Sequence, residues 1–325
     1  MTEDSLEDLR RRSVHLRSEA DIRLVEVIEG CGAGGRVLEL RTPLGLAVDL
    51  ALDRAGDILR LSWRGTELGW HGPTSGRTPW PVADTEDGLG FLRGFDGFLV
   101  TCGLDHHGVA TTTPADSFLY PLRERNQHPL HGRIYREPAE LLERNINWDD
   151  GEIRVQLRIR QATVFGEVLE LNRTYSIGLD AARIAIEDTV INRGFRPTRH
   201  GILYHVNVGH PLLGEASKLS GDQWLLVGKL PVGVATPCDN HVEIVDVDVS
   251  PADGRIGIEN PRLGIGLRVD FDPEALPATA LWQAFQSGVF ALGLEPQTVF
   301  DNSVSDRLAP GDLRTYRVSF TIESS

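Results

Sequence analysis

Apolar and polar residues alternate along most of the chain. Gly35 to Leu40, Leu44 to Leu52, Glu152 to Arg160, Val168 to Tyr175, Ala182 to Ile191 and Thr315 to Ile322 each show this alternation, with Gly, Asp, Asn or Pro at their ends. A period of two puts every second side chain on one face, so these segments predict half-buried antiparallel strands. Helical patterns are few. Ser5 to Arg17 and Pro138 to Arg144 each predict a short helix, the second opened by a proline in its first turn, where a missing N–H costs nothing. The glycine-rich run from Gly30 to Gly35 is followed by no segment of 3.6-residue period, so it reads as a tight β-turn rather than a phosphate-binding loop.

The expected fold is all-β: one large antiparallel β-sandwich with few short helices. No Pro/Ser/Gly linker divides the 325 residues and no fixed-period repeat is visible. Residues 1–22 are expected as an N-terminal segment packed on the outside, and 23–325 as a single sandwich domain. The stretch from Gly69 to Leu130 differs in texture. Trp70-His71-Gly72-Pro73, Arg77-Thr78-Pro79-Trp80-Pro81, Gly94-Phe95-Asp96-Gly97-Phe98 and Thr101 to Gly108 mix turn residues with aromatic and histidine ones, and read as ordered loops at the rim of a cleft. Aromatic faces beside polar groups suit sugars, whose C–H faces stack while their hydroxyls need partners. Trp70, Trp80 and Phe98 serve equally well as the cap of a sandwich core.

A formal net charge of −14 argues against nucleic acid, which draws its affinity from surplus Lys and Arg. The three cysteines, Cys31, Cys102 and Cys238, are odd in number and widely spaced, which fits neither a disulfide framework nor a zinc motif and predicts a reducing, cytoplasmic location. The Arg10-Arg11-Arg12 run is followed by no apolar stretch of signal-peptide length, and no segment approaches the roughly 18 apolar residues of a membrane span. Several histidines, His106, His107, His128, His131, His205, His210 and His241, invite a metal reading. None forms a His-x-His or His-x₃-His pair with a carboxylate at ligand spacing, so no metal is expected.

Two segments carry candidate chemistry. In Ile202 to Gly209, strand alternation puts Leu203, His205 and Asn207 on one face and Tyr204, Val206 and Val208 on the other. An imidazole beside an amide suits a hydroxylated ring, although a core histidine satisfied by a backbone carbonyl fits the same pattern. Glu295 follows the apolar run Val289 to Leu294, and Pro296 restricts it to extended backbone, so its carboxylate can be held rigidly where a buried strand reaches a cleft. A carboxylate and an imidazole together supply a base and an acid near neutral pH.

In chain order, His131-Gly132-Arg133, Tyr204-His205-Val206-Asn207 and Leu294-Glu295-Pro296-Gln297, followed by Asp301-Asn302 and Leu308-Ala309-Pro310-Gly311, resemble the aldose 1-epimerase (galactose mutarotase-like) family over roughly residues 60 to 322. The similarity is greatest to a subgroup carrying Thr-Cys-Gly-Leu, Leu-His-Gly-Arg and Tyr-His-x-Asn-x-Gly-x-Pro-Leu-Leu in that order. The resemblance implies a supersandwich fold and an isomerase that interconverts the anomers of a monosaccharide or derivative without a cofactor. Glu295 would be its base and His205 the acid that protonates the ring oxygen. His131, Arg133, Asn207 and Gln297 would hold the substrate, and Trp80 would offer a stacking face. The family's Gly-Arg-x-Ala-Asn-Arg stretch is missing, which leaves Arg77 or the Asp105-His106-His107 loop to replace its arginine. Tyr204 stands where the family has Asn before the histidine. The expected partner is a small sugar, with no nucleic acid and no membrane, and a homodimer is allowed. Two alternatives stay open: a carbohydrate-binding or sensing protein without turnover, and an isomerase or lyase in which Arg133 or Arg77 grips an acidic sugar.

Overall fold

The structure is a computed structural model that describes residues 6–13, 15–78, 85–115, 123–220, 237, 242–247, 253–299 and 307–324. Trp80, Cys238, His241 and the Asp301-Asn302 pair lie outside the described residues.

Alternating patterns become antiparallel strands where expected. The strands Asp21–Glu26, Arg36–Arg41, Leu46–Ala51, Asp57–Trp63 and Thr66–Glu67 form a five-stranded meander. The Gly30 to Gly35 run is the turn between the first two, with Gly30 and Gly34 at φ +82° and +84°, a region that glycine enters without penalty. An eight-stranded sheet has the spatial order Lys218–Ser220, Arg255–Asn260, Ile265–Phe271, Leu313–Ser324, Arg183–Asn192, Val168–Gly178, Glu152–Ala162, Ala139–Asn147. A second five-stranded sheet runs Val242–Val247, Ala278–Gln286, Val289–Gln297, Gly201–Val208, Leu99–Leu104 and carries the candidate chemistry. One large apolar cluster joins the inner faces of all three, including Leu38, Leu50, Ile159, Leu171, Val190, Val206, Leu294 and Phe320. Its cohesion is the hydrophobic burial expected of packed sheets.

Two expectations fail for identifiable reasons. Pro138 to Arg144 is not helical: Ala139–Asn147 is a strand that covers the edge of Glu152–Ala162. Satisfying that edge outweighs a weak local helix preference. Leu99–Leu104, expected within a loop region, is a strand with every residue buried. A strand buried on both faces loses the alternation that would announce it. The N-terminal helix spans only Leu6–Arg12, and the chain joins the first sheet at Asp21. Arg10 pairs with Asp149 at 2.8 Å across the exposed surface.

Behind the candidate site, the sandwich encloses charge. Arg173, with no exposed side-chain surface, makes a two-pronged pair with Asp188 at 2.8 and 2.7 Å and reaches Asp57 at 3.0 Å. Tyr204 donates to Asp188 at 2.7 Å, and Thr101 donates to Asp57 at 2.6 Å. A guanidinium so enclosed is tolerable only because its donors meet carboxylates and hydroxyls; removing one partner from such a group costs about 3–5 kcal/mol. Tyr204 therefore faces the core and anchors the strand that presents His205 on its other face.

Candidate active site

The register places the two expected catalytic residues side by side. On the Gly201–Val208 strand, His205 pairs with Val100 of Leu99–Leu104. On Val289–Gln297, Glu295 pairs with Ala280 of Ala278–Gln286. The flanking partners Leu203↔Gln297 and Val206↔Leu294 bring these two strands together, so His205 faces Glu295 across them. His205 Nε2 lies 3.2 Å from Glu295 Oε1, and both side chains are about 5% exposed. Glu295 lies within its strand rather than at its end, with Pro296 and Gln297 continuing the ladder to Ala278.

The space between the two groups depends on a glycine. A Cβ on Gly293 would come within 2.6 Å of Glu295 Oε1 and 3.1 Å of His205 Cε1. Glycine inside a strand often marks a close approach of this kind.

His131 reaches the pair from the turn after the hairpin of Thr111–Pro114 and Arg125–His128. Its φ of +59° and that of Gly132, +73°, form a tight left-handed turn. Gly103 N–H donates to His131 O at 3.0 Å, and Arg133 N–H donates to Gly103 O at 2.8 Å. A Cβ on Gly132 would collide with His106 O at 2.1 Å and Gly103 O at 2.3 Å, so the glycine of His-Gly is a steric requirement. The turn brings the His131 ring centroid to 5.4 Å from that of His205.

Aromatic rings complete the enclosure. Phe95 sits 4.8 Å from His205 and Trp282 5.5 Å, in edge-to-face arrangements, and Phe91 lies 4.8 Å from His131. Trp70 packs on both Phe95 and Trp282, at 5.1 and 5.7 Å. These walls exclude water, and their effect on ionisation follows. Burial, then the facing His131, pushes His205 well below the ordinary imidazole range, with Asn207 pulling the other way. Burial and then His106 bring His131 down to about 3, so its ring is neutral, with one nitrogen able to donate and the other to accept. Cys102 is fully buried; burial, followed by the charges of Glu295 and Asp57, raises its thiol pKa, as expected of an inert cysteine.

The other expected residues are placed differently from one another. Gln297 shares the face of Glu295, two residues on, and is half-buried. Asn207 shares the face of His205, but its amide donates to Gly97 O at 2.9 Å and His205 O at 3.2 Å with no exposed surface, so it braces the backbone. Arg133 and His106 belong to a network around Asp105. Arg133 lies 3.4 Å from Asp105 Oδ2 and donates to Gln127 O at 3.0 Å; His106 Nε2 donates to Val109 O at 2.8 Å. Burial works against Asp105, but hydrogen bonding from His128 and the charge of Arg133 bring it down to about 2. Arg77 is exposed, on a segment whose Thr78 N–H donates to Cys31 O at 3.1 Å. Trp80 lies outside the described residues.

Trp282, Phe91 and Gly293 escape a reading of motifs. Trp282 is one of two rings in a strand that mixes apolar and polar residues, and Phe91 sits in the short 3₁₀ segment Gly90–Arg93 that no periodicity marks. Gly293, an isolated glycine between two leucines, is the one with a legible signal. Among the described residues, no group of three or more His, Cys, Asp or Glu side chains has the geometry to hold a metal ion, and no helix is long and apolar enough to cross a membrane.

The fold matches solved structures along nearly its whole length. A provisionally named aldose 1-epimerase from Klebsiella pneumoniae superposes with a TM-score of 0.80 at 20% identity, over 94% of this chain and 83% of that one. A galactose mutarotase-like protein from Clostridium acetobutylicum gives 0.66 at 15% identity, over 95% and 100%. A galactose 1-epimerase from Lactobacillus acidophilus NCFM gives 0.56 at 13% identity, over 94% and 100%. At these identities the likeness establishes a galactose mutarotase-like β-sandwich. No curated protein matches the chain. The model of the family described as "Domain of unknown function (DUF4432)" matches residues 32–225 and 234–320, and the chain belongs to that family.

Proposed function

We propose that the protein is a sugar isomerase that interconverts the anomers of a monosaccharide or monosaccharide derivative by acid/base ring opening. The observation that carries this reading is the His205–Glu295 pair, 3.2 Å apart and walled by aromatic rings. The anomeric hydroxyl oxygen and the ring oxygen are bonded to the same carbon, so a base serving one and an acid serving the other must be close neighbours. Glu295 takes the proton of the anomeric hydroxyl as the C1–O bond gains double-bond character. The bond from C1 to the ring oxygen breaks, its electrons go to that oxygen, and His205 gives it a proton. Rotation about the C1–C2 bond of the open aldehyde presents its other face. The roles then exchange: His205 recovers the proton from the attacking hydroxyl while Glu295 returns one to the aldehyde oxygen, and the pair ends as it began. Burial shrinks the fraction of His205 that is imidazolium at neutral pH and makes that fraction a stronger acid.

His131 and Gln297 serve hydroxyls as neutral partners, and the rings of Trp282 and Phe95 take the C–H face. The pairing of Arg133 with Asp105 already offsets its charge, which favours a neutral sugar over the acidic one. The test combines ligand-induced thermal shifts across neutral sugars, uronic acids and sugar phosphates with anomer-exchange NMR on whichever binds. Accelerated exchange is the expected result. A bound sugar without acceleration would overturn this reading in favour of a carbohydrate-binding protein.

A further inference from the structure

Phe95, the ring nearest His205, sits on a turn whose carbonyls are gripped one after another. Arg54 Nη2 donates to Gly94 O at 3.1 Å and to Asp96 O at 2.7 Å. Thr74 Oγ1 donates to Phe95 O at 2.9 Å, and Asn207 Nδ2 donates to Gly97 O at 2.9 Å. The Asp96 carboxylate accepts from Gly72 N–H at 2.6 Å, with His71 Nδ1 3.6 Å away. Four consecutive carbonyls therefore each meet a side-chain donor, an arrangement that fixes an irregular segment as firmly as a ladder would. Gly97, at φ +112°, lets this turn pass Leu59, whose Cα would lie 3.2 Å from a Cβ there.

Arg54 is the costly member. It comes from the Ala51 to Asp57 hairpin turn, is only 2% exposed, and is brought by burial to about 10 against the pull of Asp96 and Asp57. An apolar side chain would fill that space without the cost of desolvating a guanidinium. What an apolar residue cannot do is bridge two carbonyls, two residues apart, on either side of Phe95.

We propose that Arg54 is a positioning residue: by holding the Gly94 to Gly97 turn it sets the Phe95 ring against His205 and keeps water from the imidazole. This rests on the proposed role of His205 as the proton donor to the ring oxygen. The groups facing His205 are Glu295 from the neighbouring strand and His131 from the His-Gly turn, with the Cys102 thiol on its other flank feeling the charge of Glu295. The Ala278–Gln286 strand presents Ala278, Ala280, Trp282, Ala284 and Gln286 on that side, none of them charged.

The experiment titrates the histidine rings of the full-length protein by NMR, with the His205 signal identified by its loss in His205→Asn. In Arg54→Met the His205 midpoint should rise toward that of an ordinary imidazole, because the loosened ring admits water. Turnover in anomer exchange should fall about 10- to 100-fold with a smaller change in KM, and Arg54→Lys should recover part of both. A folded Arg54→Met with an unmoved His205 midpoint overturns the proposal, whatever its melting temperature. Should Arg54→Met fail to fold, Thr74→Val removes the donor to Phe95 O alone. It must then shift His205 in the same direction, and an unmoved midpoint there is equally fatal. The titration needs no turnover, so a wild-type protein inactive on every sugar would sink the isomerase reading while leaving the clamp to be judged on His205 itself.

Discussion

Histidines buried to the same degree stand in opposite settings. His106, His107, His128 and His200 lie at 1–6% exposure, and each has a ring nitrogen on a fixed neighbour. His200 Nδ1 donates to Leu104 O at 3.0 Å and its Nε2 lies 2.8 Å from the Tyr316 hydroxyl. His107 Nε2 meets Thr298 Oγ1 at 3.0 Å, and His128 Nε2 meets Thr113 Oγ1 at 3.0 Å. These rings act as cross-braces between strands and loops. His205, at 3% exposure, instead faces a carboxylate and a second imidazole inside aromatic walls. Burial alone therefore does not separate a bracing ring from the one proposed for chemistry; what stands opposite the ring nitrogens does.

The comparison breaks most sharply at the pair itself. Glu295→Gln keeps the shape of the side chain and loses its basicity, so anomer exchange should become undetectable while most sugar affinity survives. His205→Asn should lower turnover by roughly 10²–10⁴-fold, the range for losing a general acid, with a smaller effect on affinity. Steady-state exchange kinetics alongside binding by thermal shift separate the two quantities. Near-normal turnover in Glu295→Gln would remove that carboxylate from the chemistry.

Gly293→Ala tests the spacing rather than the groups. Its methyl would press on Glu295 Oε1 at 2.6 Å and on the His205 ring at 3.1 Å, forcing the acid and base out of line. A displacement of about 1 Å can cost on the order of 10²-fold, so kcat should fall by about that factor with the fold intact by circular dichroism. Unaltered kinetics would mean that the pair tolerates a geometry it does not adopt.

Much of this contrast was legible in the chain, but unevenly. Strand alternation alone placed His205 and Asn207 on one face and Tyr204 on the other, because a period of two leaves no freedom once a strand is granted. It could not tell that Asn207 braces Gly97 while His205 faces Glu295, since both depend on what the neighbouring strands present. The Leu99–Leu104 strand was hidden because burial on both faces erases the pattern, and the Ala139–Asn147 strand because its partner edge is non-local. Trp282 and Arg54 lie far from the histidines in sequence and reach the site through register and a hairpin turn, which no local spacing encodes.

The bracing histidines should show the opposite phenotype. His200→Phe removes the imidazole hydrogen bonds to Leu104 O and the Tyr316 hydroxyl, at a cost of about 0.5–1.5 kcal/mol for each bond lost. Denaturant unfolding should register that loss, and exchange kinetics should stay close to wild type. A stable His200→Phe protein with collapsed turnover would erase the distinction between the two sets.

The smallest effect concerns pH, where buried and rim histidines pull in opposite directions. Burial brings His131 and His106 down to about 3 and about 4, whereas His71, gripped by Asp96 and then Glu67 at the edge of the aromatic wall, is raised to about 9. In the unfolded chain all three titrate near 6.5. Below that pH the unfolded state takes up protons that His131 and His106 refuse, so their contribution is present above 6.5 and is lost as the pH falls toward 4 and 3. Above it the unfolded state releases a proton that His71 keeps, so the contribution of His71 is present below 6.5 and is lost as the pH rises through about 9. The histidines together thus place maximum stability near pH 6.5. His71 is 38% exposed, which screens its two ion pairs and keeps its share small. Thermal melts between pH 4.5 and 9.5 should show a shallower alkaline decline in His71→Gln and a shallower acid decline in His106→Gln. An alkaline limb unchanged by His71→Gln would mean that its two carboxylate neighbours do not hold the ring in solution.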